Sequence, residues 1–71
     1  MTVAQAEVVL GLAKYNLNVE ATARGLYLSS STVWRHIYAI IDQSGLDPRN
    51  FYDLCELLPY AEAIMEAKRG K

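Results

Sequence analysis

Between Val19 and Ile37 the chain reads VEATARGLYLSSSTVWRHI, and this arrangement of small, apolar and hydroxyl side chains admits few packings. Two helices that cross at close range need a small residue where their backbones approach, and Ala23 supplies it in the middle of the first. Leu26 and Leu28 are placed to fill the space beneath the connection. Val33 and Ile37, four apart, share one face of the second helix and point back onto Ala23 and Leu26. The hydroxyls of Ser29-Ser30-Ser31 can accept free backbone N–H groups where the second helix starts, and Ser31 is the expected N-cap. Chains of this pattern often carry glycine in the turn, whereas Tyr27 stands there. The turn is therefore expected to avoid positive φ or to be slightly longer. The pattern implies an all-α fold of helix-turn-helix type, with a three-helix core plus one or two C-terminal helices.

The remaining residues supply the other helices. Thr2-Val3-Ala4-Gln5 is a capping box, with Thr2 as N-cap and Gln5 reaching back, and a first helix is expected to about Tyr15. Val3, Ala6, Leu10 and Ala13 form its expected core stripe, and Val8, Val9 and Leu12 carry apolar surface nearly all round it. Asn18 can cap a second helix from Val19 to about Leu26. The third is expected from about Thr32 to Gln43, closed by Gly45. Asp47-Pro48 reads as N-cap and first position of a fourth helix, which Pro59 ends or kinks. Tyr60 to Lys68 again has helix-forming composition, and Arg69 to Lys71 is expected to fray.

At 71 residues the chain can bury about 60% of its unfolded surface, so a lone monomer is expected to be marginally stable. No repeat or linker interrupts it, which implies one domain over residues 1–71. It lacks both an apolar run long enough for a membrane span and a basic stretch ahead of an apolar segment, so neither membrane nor secretory targeting is indicated and a cytoplasmic location is expected. The single Cys55 excludes an intrachain disulfide and reads as a small core residue between Phe51 and Leu58. His36 has no second histidine with which to complete a metal site. With no phosphate loop and no catalytic pairing, the sequence implies neither an enzyme nor a cofactor.

The net charge of −1 is low for a nucleic-acid binder, but its distribution is uneven. Residues 19–41 set Glu20 against Arg24 and Arg35. Residues 42–66 hold six carboxylates against Arg49, and Lys68, Arg69 and Lys71 follow. With Val33, Ile37, Ile40 and Ser44 facing inward, Arg35 points away from the core, and Ser31, Tyr38 and Ala39 share its side. Arg35 is thus the candidate for a base contact, because its planar fork matches guanine O6 and N7 together. Ser29, Ser30, Ser31 and Thr32 can bind phosphate or merely cap the helix, and Arg24 and a protonated His36 can add phosphate contacts. Trp34 is expected to be partly buried. It can pack on a thymine methyl or sugar, anchor a subunit contact, or cover Ile41 and Tyr38. The five tyrosines read as boundary packing.

The stretch Asn18–Leu28, then Ser31-Thr32-Val33, Ile37, Ile40 and Ser44-Gly45-Leu46-Asp47-Pro48-Arg49-Asn50-Phe51, resembles the C-terminal helix-turn-helix domain of PucR and CdaR-type regulators over roughly residues 8–58. In that family a bulky residue at the Tyr27 position is normal. Through the turn and recognition helix, Thr32 and Val33 match the family's pattern, so the resemblance implies the fold and duplex DNA binding without implying the family's DNA target. Ser31-Thr32-Val33 and Glu56-Leu57-Leu58, with Tyr60 and Ile64, are loosely similar to the stage III sporulation regulator. The long sensory region that usually precedes the PucR domain is not in this sequence, which implies either a stand-alone product, as from a prophage, or a fragment. Two functions follow. One is sequence-specific DNA binding in transcription control, with residues 32–43 in the major groove and a homodimer doubling the contacts. The other is a protein-interaction module that uses the apolar face of the first helix and Trp34.

Overall fold

The computed structural model describes residues 1–70 and is all-α: α1 (Val3–Lys14), α2 (Val19–Gly25), α3 (Ser30–Ser44) and α4 (Phe51–Arg69). Lys71 lies outside the described residues. The capping box forms as expected: Thr2 Oγ1 accepts from Gln5 N at 3.1 Å, and Gln5 Oε1 accepts from Thr2 N at 3.0 Å. That bond also satisfies Gln5, whose side chain is buried.

Helix α1 is the centre of the molecule. At backbone level α4 lies against α1 and no other helix, while α2 and α3 pack on each other and on α1. A helix gripped from two sides buries more than one stripe, which changes the expected core. Ala6, Val8, Val9 and Leu12 are fully buried, Leu10 is partly buried, and Val3 and Ala13 of the expected stripe are exposed. Much of the apolar surface of α1 is therefore covered within the chain, with Ile64 and Met65 of α4 packed on the same core and themselves partly buried.

Close approach of α1 to α2 depends on Gly11, where a β-carbon would stand 2.7 Å from Thr22 Cγ2. Thr22 is fully buried, and its Oγ1 donates to the Asn18 carbonyl at 2.8 Å. The ring of Tyr15 lies on Gly25 in the same way. Asn18 caps α2 as expected, accepting from Ala21 N at 2.9 Å.

The α2–α3 turn keeps positive φ despite its tyrosine. Tyr27 has φ 59°, Tyr27 N donates to Arg24 O at 3.2 Å, and Leu28 N donates to Ala23 O at 2.9 Å. These are the paired bonds of a Schellman motif, which close the last carbonyls of α2 at the expense of about 1–2 kcal/mol of left-handed strain in a non-glycine residue. So early a reversal starts α3 two residues before the expected position. Ser29, not Ser31, is the N-cap, its Oγ accepting from Thr32 N at 3.2 Å. Leu26 packs on the core, but Leu28 stays 40% exposed rather than filling the space beneath the turn.

Gly45, with φ 75°, ends α3 as expected. Asp47 does not cap α4. Asn50 does, its Oδ1 accepting from both Tyr52 N and Asp53 N, while Asp47 pairs with Arg49 at 2.8 Å and Pro48 is fully buried. Pro59 does not end the helix either. It lies on an exposed side of α4, where the carbonyl four residues back, on exposed Cys55, can turn to water. Leu54, Leu57 and Ala61 form the inward stripe of α4, and Cys55 falls about 100° off it, exposed rather than in the core.

Candidate nucleic-acid interface

The candidate surface is the outward side of α3 together with the turn before it. Val33, Ile37 and Ile40 are buried, and this inward anchoring leaves Ser31, Arg35 and Tyr38 exposed on the opposite side. Ala39 and Ser44 depart from the expected wheel. Ala39 is half-buried, and Ser44 is exposed, its Oγ donating to the Ile40 carbonyl at 2.6 Å and accepting from Leu46 N at 3.0 Å.

Donor groups gather at the start of α3. Ser29 Oγ lies 2.9 Å from Thr32 Oγ1 and 3.3 Å from Ser31 Oγ, and Arg35 Nη2 donates to Thr32 Oγ1 at 3.3 Å. Arg35 thus leans one turn back toward the N-terminal end of α3, where unpaired N–H groups carry the positive end of the helix dipole. Ser30 is half-buried at the edge of this group, and Arg24 is exposed in the last turn of α2.

Charge is partitioned to match. From Ala21 through Ile41 the sequence contains no carboxylate. Among the described residues, Arg49 and Arg69 are paired with Asp47 and Glu66, whereas Arg24 and Arg35 have no carboxylate partner. The outward side of α3 therefore offers hydroxyls and the guanidinium of Arg35, with Arg24 on the neighbouring α2, an arrangement suited to phosphate oxygens and to acceptor edges of bases. Comparison with family models, with characterised proteins and with solved structures returns no match.

Trp34 is half-buried, and its ring has partners within the chain. The Arg49 guanidinium sits over it at 4.9 Å from the centroid, and the Tyr38 ring stacks beside it at 5.8 Å with 29° between planes. Arg49 is itself held by Asp47 through two bonds, Nε to Oδ1 at 3.1 Å and Nη2 to Oδ2 at 2.8 Å. Asp47, Arg49, Trp34 and Tyr38 so form a continuous ladder from the α3–α4 loop to the exposed side of α3. Burial opposes ionisation of Asp47, but its hydrogen bonds to Arg49 and the nearby positive charge prevail and hold the carboxyl below the ordinary aspartate value. His36 is half-buried on the far flank of α3.

Sequence reasoning missed the ladder because Trp34 and Arg49 lie fifteen positions apart with no periodic relation. It also treated the tyrosines as boundary packing. Only Tyr15 is half-buried, while Tyr27, Tyr38, Tyr52 and Tyr60 are 95%, 61%, 77% and 67% exposed. For Tyr27 a signal was present, since a bulky residue stood where a glycine is the usual choice.

Proposed function

We propose that this chain binds duplex DNA, with the outward side of α3 in the major groove, and acts in the cytoplasm as a transcriptional regulator. The observation that carries the reading is Arg35, without a carboxylate partner among the described residues, exposed opposite the buried Val33, Ile37 and Ile40 and leaning over a hydroxyl-lined helix start. Arg35 reads guanine, Ser29, Ser31 and Thr32 hold a phosphate with the first-turn N–H groups, and Arg24 adds a backbone contact from α2. The resemblance to PucR and CdaR-type domains points the same way. With a net charge of −1, affinity rests on a few local contacts and falls with salt in proportion to their number.

The test is selection of bound sequences from random duplexes, followed by anisotropy titrations of the parent and Arg35→Ala at several salt concentrations. Arg35→Ala should lose about 1–3 kcal/mol of specific affinity while keeping its helical circular dichroism. Parental affinity in Arg35→Ala at every salt concentration removes the recognition-helix assignment. A parent that binds no duplex at low salt removes the function.

A further inference from the structure

Among the described residues, four have left-handed backbones, and three of them have a local reason. Gly45 has no side chain to strain, and Asn16 is a residue type that tolerates this region. Leu17, at φ 66°, packs its side chain against the core. The Tyr27 backbone closes the end of α2, but its side chain gains nothing from the other described residues. Its φ is 59°, its side chain is 95% exposed, and neither its hydroxyl nor its ring has an intrachain partner among the described residues. A glycine would make the same Schellman turn without strain and without an exposed ring. Strain uncompensated within a molecule is characteristic of groups that work on something outside it.

The surroundings indicate what that something is. Tyr27 lies between exposed Arg24, which has no carboxylate partner, and the Ser29 N-cap of α3, within the stretch that holds no carboxylate. A phenol held out by a fixed turn, with Arg24 and Ser29 close to it in sequence, is suited to donate its O–H to an anionic oxygen while its ring covers the adjoining sugar. We propose that Tyr27 is a backbone-contact residue, donating from its hydroxyl to a phosphodiester at the groove edge beside α3. The inference rests on the duplex-DNA reading and adds to it a contact independent of base sequence.

Strain and contact make opposite demands on one position. Replacing Tyr27 with glycine removes both, so stability should rise as affinity falls, a pair of changes that no purely structural role produces. The full chain, Tyr27→Gly and Tyr27→Phe are melted by circular dichroism and titrated at low salt into a fluorescein-labelled pool of random-sequence duplexes. Tyr27→Gly should melt about 4 °C above the parent and bind the pool about 5-fold more weakly. Tyr27→Phe should melt with the parent and also bind more weakly. A Tyr27→Gly that fails to melt higher, or either variant binding the pool as tightly as the parent, overturns the assignment and leaves the DNA reading standing. A parent that binds none of the pool overturns both.

Discussion

Gly11→Ala tests the geometry that sets α2, and with it the turn and α3, against the rest of the molecule. The new β-carbon would lie 2.7 Å from Thr22 Cγ2, where ordinary carbon contacts fall at about 3.5–4.0 Å. Thr22 cannot turn aside, because it is fully buried and its hydroxyl is committed to the Asn18 carbonyl. Relief requires α1 and α2 to separate by about 1 Å, an overpacking that costs about 1–3 kcal/mol. Alanine returns about 1 kcal/mol in helix propensity. The net loss, centred near 1 kcal/mol, should lower the melting temperature by about 4–8 °C in a domain of this size. Thr22→Ser removes the obstructing methyl and keeps the hydroxyl, so in that background Gly11→Ala should stabilise by about 1 kcal/mol. Thermal melts of the four proteins in the cycle give a coupling expected at about 1–3 kcal/mol. A Gly11→Ala protein that melts above the parent, or a cost that persists unchanged in the Thr22→Ser background, refutes the close-approach argument.

Pro59→Ala restores the missing N–H on the exposed side of α4 and should raise stability in urea denaturation by about 1–3 kcal/mol; no gain would mean that the helix already accommodates the ring without loss. Ala23→Leu inserts three carbons at a site 2% exposed and should cost about 1–3 kcal/mol, so the proposed DNA binding should be lost in proportion to the helical signal, unlike that of Arg35→Ala. The lowered pKa of Asp47 means that its pairing with Arg49 stabilises the fold above the unfolded aspartate value and is lost as pH falls through the folded one, below about pH 4. Emission from Trp34, the chain's one tryptophan, should report that loss in the parent and not in Asp47→Asn while far-UV dichroism is still native; identical titrations would separate Arg49 from the Trp34 ring.

Features set by neighbours in sequence were legible. The Thr2–Gln5 box, the Asn18 cap and the Gly45 stop each depend on a few adjacent residues, and all form. The inward stripe of α3 was legible from Val33 through Ile40, because a helix packed on one side obeys a single period, whereas Ser44 at the helix end is exposed. On α1 the same rule misleads, since contact on two sides buries Val8 and Val9 while Ala13 stays exposed. Asp47 and Asn50 are both good caps, and the choice between them is made by Arg49, which occupies the Asp47 carboxylate. Pro59 reads in the sequence as a stop or a kink, because its effect depends on whether the freed carbonyl meets solvent, which only the packed fold decides. Within the candidate interface, the exposure of Arg35 and Tyr38 followed from periodicity. The engagement of Trp34 by Arg49 is a tertiary contact with no trace in local spacing.

The place of α1 between α4 and the α2–α3 pair bears on how the molecule comes into being. Helix α1 leaves the ribosome well ahead of α4, and the surface it buries beneath α4 is covered only when Leu54, Leu57 and Ala61 have emerged. Until then Val8, Val9 and Leu12 belong to a nascent chain with half a core, of the kind that holdase chaperones retain. The fold therefore closes only after α4 has cleared the exit tunnel, and a stalled or clipped product that ends after Gly45 would carry the whole candidate interface on a scaffold unable to hold it in shape.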